Sequence, residues 1–365
     1  MSSPVYPKPA EVSRRLLAWY GRHGRDLPWR GTRDPYRIWL SEVMLQQTGV
    51  TTVIPYYERF LGRFPTVSDL AAAPLEELIE LWAGLGYYSR ARNLHAAARR
   101  VVEVFDGSFP AELEALISLP GVGRSTAGAI RSIAFDLKGP ILDGNVRRVL
   151  CRLYALEQDP RASAAERFLW ARAEELTPAE RPHDYAQAIM DLGATVCTPR
   201  SPDCPACPLE GLCLARARGL EKALPLRGRK KAVPTRTQVA LLLERQGRWL
   251  VRRRPYAGML GGLWEFPAAE VPEGDEPGRI AEALLDELGF SASLRHAGRV
   301  AHAYSHFKLD LHLFAAKVSR QGRAAENQDS CWADLPDLAA MPLHGAHKKA
   351  LACLPGSAGT GKMDF

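Results

Sequence analysis

Three groups of side chains in this 365-residue chain have the types and spacing for chemistry: two carboxylates at helix faces or ends, and one compact set of thiols. Ile38, Glu42 and Leu45 recur at i, i+4 and i+7, which puts a carboxylate into the apolar stripe of a predicted helix. Desolvation in such a stripe raises a carboxyl pKa, the condition a general acid needs near neutral pH. The competing reading is a glutamate turned to solvent or paired with an arginine. Asp143 follows Pro140-Ile141-Leu142 and precedes Gly144-Asn145-Val146. There it caps a helix, and a cap at a helix terminus also aims a carboxylate at a neighbouring cleft. Cys197, Cys204, Cys207 and Cys213 form a C-x6-C-x2-C-x5-C array, which reads as a metal site. Spacing and thiolate chemistry alone allow zinc or an iron–sulfur cluster. Cys151, Cys331 and Cys353 stand apart and read as packing residues, and seven cysteines, an odd number, argue against a disulfide framework.

The elements that must position these groups follow from periodicity. Asp34-Pro35 supplies an N-cap and a first-turn proline for a helix running through Gln47. The stretch Leu119-Pro120-Gly121-Val122-Gly123-Arg124-Ser125-Thr126-Ala127 reads as a helix ended by Pro120, a hairpin in which Gly121 and Gly123 take positive φ, and a helix starting near Arg124. Unpaired N–H groups at that second helix make an anion site suited to a phosphate backbone, unless the turn is an ordinary helical corner. Trp82-Ala83-Gly84-Leu85-Gly86-Tyr87-Tyr88-Ser89 closes one helix and opens the next. Its leucine and tyrosines are candidates for a wedge into a base stack, or for inward packing behind a helix cap. Between Lys222 and Arg236 six basic residues and no acidic one suggest a linker lying near phosphates. From Thr237 the pattern turns to strands, with a hairpin at Gln246-Gly247, a helix over Ile280 to Leu288, and strands near Val300 and Leu309 to Val318. Gly356 to Gly361-Lys362 imitates a phosphate loop without its final hydroxyl residue or following helix.

Composition frames the same picture. The length favours two domains, and a net charge of +7 with a pI near 9.1 suits a polyanionic partner. With no apolar run of eighteen residues and no leader-like h-region, a cytoplasmic, nucleoid-associated protein without membrane contact is expected.

Taken together these residues resemble the MutY-type adenine DNA glycosylases, within the helix–hairpin–helix superfamily typified by endonuclease III. The resemblance runs from Leu27-Pro28-Trp29-Arg30 to Tyr304-Ser305-His306. It rests on Trp39 to Thr48, Gly84 to Tyr88, the hairpin, Leu142 to Val146 and the cysteine array. It implies a mainly α glycosylase domain followed by an α+β Nudix-like domain. The expected divisions are a disordered 1–10, the helix–hairpin–helix domain 11–218, a basic linker 219–236, the Nudix-like domain 237–353 and a flexible tail 354–365. It further implies a monomer that removes adenine mispaired with 8-oxoguanine or guanine in double-stranded DNA, and a [4Fe-4S] cluster on the four cysteines. The cluster would be mainly structural, holding a basic loop with Arg200, Arg216 and Arg218 against DNA.

Residue by residue, the resemblance gives Glu42 the part of general acid and Asp143 that of sugar-cation stabiliser, supported by Asn145. Arg30, Leu45 and Gln187 would line the adenine pocket. Gln47, Thr48, Leu85, Gly86, Tyr87, Gly121, Gly123 and Ser125 would meet DNA, and Tyr304, Ser305 and His306 would read 8-oxoguanine. Bifunctional relatives carry a Schiff-base lysine where this chain has Ser125, so a monofunctional enzyme is expected. That position and the second domain count against a pyrimidine-damage glycosylase with lyase activity, and the two carboxylates count against a non-catalytic DNA clamp. The Nudix signature is broken: Glu282-Ala283 replaces its Arg-Glu pair, and Ala268 and Gly274 replace its upstream Gly and Glu. Pyrophosphate hydrolysis is therefore not expected. Tyr304 stands where the family has phenylalanine.

Overall fold

The computed structural model describes residues 6–226, 228, 233–256, 258–304, 306–319 and 329–355. Ser305, the linker residues Arg227, Arg229, Lys230 and Lys231, the first five residues and the glycine-rich 356–365 lie outside the described residues. The chain forms two compact units, one of residues 1–74 and 90–230, the other of residues 75–89 and 231–365.

The helices run in order α1 (Pro9–His23), α2 (Pro35–Leu45), α3 (Val50–Arg63), α4 (Val67–Ala72), α5 (Leu75–Trp82), α6 (Ser89–Phe105), α7 (Leu113–Ile117), α8 (Arg124–Phe135), α9 (Gly144–Leu153), α10 (Ser163–Leu176), α11 (Pro182–Asp191) and α12 (Leu214–Ala217). Asp34 caps α2 by accepting the Tyr36 N–H at 2.9 Å, as the Asp-Pro pair predicts. The helix buries Ile38, Trp39, Leu40, Val43 and Met44, and ends at Leu45 because Gln47 turns into the left-handed region at φ 59°. Buried Arg90 closes that end by donating to the carbonyls of Val43, Met44 and Gln46 at 2.7–3.0 Å.

Helix α8 packs against α2, α7 and α11 and is the central helix of this unit. A Cβ on Gly128 would lie 2.1 Å from the Pro140 carbonyl oxygen, so glycine there lets the 139–142 segment run directly along α8. That contact, with the Ser132 hydroxyl donating to Gly139 O at 2.9 Å, delivers Asp143 to the start of α9. Two expectations at the ends of the unit change. Helix α1 already begins at Pro9, and Tyr6 packs edge-on against Tyr154 at 5.3 Å, so the ordered chain starts before residue 11. Leu224, inside the expected linker, is buried with Ala155 and Ala215, so the chain to this point is fastened down rather than a free tether.

The second unit is built on a mixed sheet of β1 (Thr235–Arg245), β2 (Arg248–Arg253), β3 (Trp264–Glu265), β4 (Ala268–Glu270), β5 (Arg295–Ala303), β6 (Lys308–Lys317) and β7 (Ser330–Ala333). The path is β3-β2-β1-β6-β5, with β1 and β6 parallel, β4 added to β1 and β7 to β2. Along β1, Ala240 and Leu242 enter one core while Val239, Leu241 and Leu243 enter the other. Both faces are thus covered, which is why β1 reads as an unbroken apolar run. Helix α13 (Pro277–Glu287) covers the second face; α14 (Leu335–Ala340) and α15 (Gly345–Ala350) lie on the first. Leu354 is buried in that first core, so the expected tail begins too early.

Candidate active site

A cavity of about 400 Å³ opens among α2, α8, the start of α9 and α11, within the range of roughly 300–1,000 Å³ typical of small-molecule sites. Glu42, Asp143, Asn145, Arg30, Leu45 and Gln187, far apart in sequence, all line it. Glu42 lines this cavity and keeps part of its surface accessible. Burial, reinforced by the charge of Asp143 and opposed by Arg30, pushes its carboxyl from an ordinary 4.5 up to about 7. Asp143 is also pushed up by burial, but the N–H groups of Val146 and Asn145 and the charge of Arg148 pull it back toward the ionised form. The Val146 N–H bond is 2.7 Å, so the cap and the cavity-facing carboxylate are one group. Two carboxylates this close share a proton unequally. Backbone donors and Arg148 oppose the upward push of burial on Asp143, whereas Arg30 does so on Glu42, whose carboxyl at about 7 is poised to hold a proton near neutral pH.

The polar walls hold residues that the sequence reading passed over. Fully buried Asp191 takes Arg30 in a two-pronged ion pair at 2.5 and 2.6 Å and Arg25 at 2.6 Å. Although burial opposes it, these bonds hold the Asp191 carboxyl below its ordinary range. The Tyr20 hydroxyl donates to Gln187 Oε1 at 2.8 Å, and Gln187 Nε2 lies 2.8 Å from His183 Nε2. His183, Gln187 and Asp191 fall at i, i+4 and i+8 on α11, whose other face is apolar. That polar stripe was the available signal.

The hairpin forms as predicted, with one change. Gly121 takes φ 78°, but Gly123 is extended at φ −87° and stands as the N-cap of α8. Having no side chain, it caps nothing, and the first-turn N–H groups of α8 keep no side-chain acceptor. Ser125 lines the cavity and accepts the Leu142 N–H at 3.0 Å, so its hydroxyl ties down the segment carrying Asp143. Gln47 is exposed, and Thr48 accepts from Arg90 at 3.0 Å. Leu85 is buried at 5% exposure, while Gly86, Tyr87 and Tyr88 are partly exposed.

After α11 the chain makes a single π-helical turn, Leu192–Val196, closed by the Cys197 N–H on Leu192 O at 2.7 Å. None of the four cysteines of the array is in a disulfide. Burial pushes the Cys207 thiol up to about 12, with the charges of Cys197, Cys213 and Cys204 adding to it, so the four lie within electrostatic reach of one another. Arg152, 2% exposed, donates to the carbonyls of Leu224, Thr198 and Pro199 and to Cys197 Sγ at 3.2 Å. Among the described residues no carboxylate partners it, and the side-chain acceptor it meets is the Cys197 sulfur. The donor set fits a thiolate-bound metal group. Arg148 donates to Cys197 O at 2.7 Å, Gly193 O at 2.6 Å and Asn145 Oδ1 at 2.9 Å. Around the array Arg200 is exposed, but Arg216 pairs with Glu210 and Glu221, and Arg218 with Glu157.

In the second unit Tyr304 and His306 lie in the turn between β5 and β6, not in a strand. Tyr304 stacks on Phe307 at 4.8 Å; its hydroxyl meets His344 Nδ1 at 2.8 Å and accepts the Ala346 N–H at 3.3 Å. The hydroxyl that departs from the family pattern is thus engaged by α15. His306 is exposed. Buried Glu265, His344 and His347 cluster nearby, but Glu265 is neutralised by Arg254 at 2.6 Å, and His347 Nδ1 accepts the Phe266 N–H at 2.9 Å. The proton of neutral His347 then sits on Nε2, which leaves that nitrogen no lone pair for a cation.

Comparison with known proteins agrees with this geometry. Residues 40–175 match the model of the HhH-GPD superfamily base excision DNA repair proteins, and residues 238–353 match the NUDIX domain model. The adenine DNA glycosylase of Homo sapiens is 40% identical over 366 residues, covering 84% of this chain and 67% of that protein. That of Buchnera aphidicola subsp. Schizaphis graminum is 38% identical, covering 82% and 85%. Among solved structures, a thermostable thymine-DNA glycosylase aligns at TM-score 0.52 and 30% identity, over 58% of this chain and 97% of that one. A non-covalent endonuclease III–DNA complex aligns at TM-score 0.50 and 26% identity, over the same 58% and 97%. With relatives matched across two thirds or more of their own length, the chain belongs to the adenine DNA glycosylase family, enzymes of base excision repair.

Proposed function

We propose that this enzyme releases adenine from double-stranded DNA where it is mispaired with 8-oxoguanine or guanine, and leaves an abasic site without cutting the strand. The observation that carries this reading is the pair of carboxylates in one cavity, with burial holding the Glu42 carboxyl up at about 7. The target adenine leaves the stack and enters the cavity between Arg30, Leu45 and Gln187. Neutral Glu42 protonates the base and makes it a leaving group. As the glycosidic bond lengthens the sugar gains positive charge, and Asp143, held by its cap bonds and by Asn145, stabilises that charge; one acid and one anion divide the work as in glycosidases. Water completes the hydrolysis.

The phosphates would meet the uncapped N–H groups at Gly121, Gly123 and Ser125, and the strand would run past Gln47, Thr48, Leu85, Gly86 and Tyr87. Ser125 offers no amine for a Schiff base, which separates this reading from a lyase. Cys197, Cys204, Cys207 and Cys213 would hold a [4Fe-4S] cluster. When bound, that group supplies charge and cross-linking to the loop rather than a reaction step. Tyr304, Ser305 and His306 would read the base opposite the adenine. No described helix is long and apolar enough to cross a membrane, as suits a DNA partner. The test is incubation with a duplex holding adenine opposite 8-oxoguanine, then alkali. Alkali-dependent cleavage at the adenine is the expected result, and an intact strand refutes the reading.

A further inference from the structure

The polar wall of the cavity contains a relay whose hydrogen positions follow from its far end. His183 Nδ1 lies 2.7 Å from Ile133 O, and a carbonyl only accepts, so Nδ1 carries the hydrogen. Nε2 of the neutral ring is then an acceptor, and the group 2.8 Å from it must donate, which assigns that group as the Gln187 amide nitrogen. The other end agrees. Tyr20 stands 2.8 Å from Gln187 Oε1, while Arg30, which only donates, approaches the Tyr20 oxygen at 3.4 Å. The tyrosine hydrogen is therefore directed to Gln187. Gln187 is 2% exposed, so rotation about its last bond exchanges buried partners rather than water.

We infer that Tyr20 and His183 are specificity-determining positioning residues, which fix the face of the Gln187 amide and thereby match the cavity to a 6-aminopurine over a 6-oxopurine. The inference rests on the reading that the flipped adenine occupies this cavity. An amide has two donor and two acceptor positions. With one donor given to His183 and one acceptor to Tyr20, Gln187 keeps one N–H and one oxygen lone pair. An adenine edge offers an amino donor beside a ring-nitrogen acceptor and takes both together. A 6-oxopurine presents an acceptor where adenine presents its amino group, so an amide serving it must turn over. Turned over, Oε1 would face the His183 lone pair and the amide N–H groups would face the hydroxyl hydrogen of Tyr20. Losing these two bonds sets the discrimination at roughly tenfold to a hundredfold, each bond being worth about three- to tenfold.

The experiment is a double-mutant cycle on the full-length, cluster-loaded enzyme, read by single-turnover excision of adenine and of hypoxanthine, each opposite 8-oxoguanine. Tyr20→Phe keeps the ring and removes the hydroxyl that donates to Gln187, along with its long 3.4 Å contact from Arg30; His183→Leu removes the acceptor. Each should slow adenine excision about three- to tenfold and raise the hypoxanthine-to-adenine rate ratio by a similar factor. In a Gln187→Ala background neither should have any further effect on the ratio, because no amide remains to be oriented. Equal slowing of both bases, or the same effect with and without Gln187, would show a merely structural role and overturn the inference. Tyr20→Phe alone suffices for this if His183→Leu does not fold. Wild-type enzyme that releases no adenine would overturn this inference and the proposed function together; wild-type release with an additive cycle overturns this inference alone.

Discussion

Replacing Glu42 by glutamine should abolish excision and, above neutral pH, stabilise the protein. In the folded state the Glu42 carboxyl titrates at about 7 rather than the ordinary 4.5, chiefly because it is buried. The folded chain therefore binds this proton more tightly than the unfolded chain does. Below about pH 4.5 both states are protonated and the site contributes nothing to the pH dependence. Above about pH 7 both are ionised, and the folded state carries the whole cost of a buried charge. At about 1.4 kcal/mol for each tenfold difference in proton affinity, that cost is roughly 3 kcal/mol, reduced toward 2 by water in the cavity. Glutamine keeps the shape and has no proton to lose. The stability of the variant relative to wild type, from urea unfolding of the cluster-loaded protein, should rise by about 2 kcal/mol between pH 5 and pH 8 and then level off. In the same variant, adenine excision should fall by roughly 10²–10⁴ or more while duplex binding persists. A stability difference that stays flat with pH would refute the burial argument, and wild-type excision rates would remove Glu42 from the chemistry.

Wild-type single-turnover rates should fall as pH rises through about 7, where Glu42 loses its proton; a rate unchanged to pH 9 would sink the general-acid role. Asp143→Asn keeps much of the helix cap but cannot neutralise a sugar cation, so excision should be lost with thermal stability reduced by only about 1 kcal/mol, and a purely structural loss would leave only the capping role. Ser125→Lys should bring some borohydride-trappable strand cleavage and slower excision, since it also breaks the bond to Leu142, whereas efficient trapping by the wild type would contradict the monofunctional assignment. Anaerobically purified protein should be yellow-brown with about four irons per chain, and stoichiometric zinc in their place would exclude the cluster. His306→Ala should lower the preference for 8-oxoguanine over guanine by up to about tenfold, and an unchanged ratio would remove His306 from lesion reading.

The two cavity carboxylates were legible because each broke a local pattern: Glu42 interrupts an apolar helical stripe, and Asp143 sits where a helix must start. The two sheet faces were legible from β1, where alternate residues feed separate cores. What escaped was set by tertiary contact. Asp191 looks like an ordinary helix-end acid until Arg25 and Arg30, more than 150 residues earlier, close on it. Arg90 stands at the start of α6 with no local pattern that links it to α2, yet it caps α2 through three carbonyls. From its glycine neighbours Leu85 reads equally as a wedge or as inward packing; the glycines take positive φ at 84 and 86, and the leucine is 5% exposed, which the sequence alone does not decide.

At Asp143 the capping role and the proposed charge-stabilising role fall to the same carboxylate. A stabiliser of developing positive charge is effective in proportion to how little it must reorganise when that charge appears. The bond from the Val146 N–H fixes one carboxylate oxygen, and Gly128, by letting the 139–142 backbone lie against α8, fixes the segment that carries it. The Ser125 hydroxyl holds Leu142 from the other side. Asp143 therefore has few conformations to lose on meeting its substrate. Its neighbouring donors oppose the upward push of burial on its carboxyl, while burial holds the Glu42 carboxyl up at about 7. The fold sets the positions of both groups and, through burial and these few hydrogen bonds, the different electrostatic surroundings in which each one titrates.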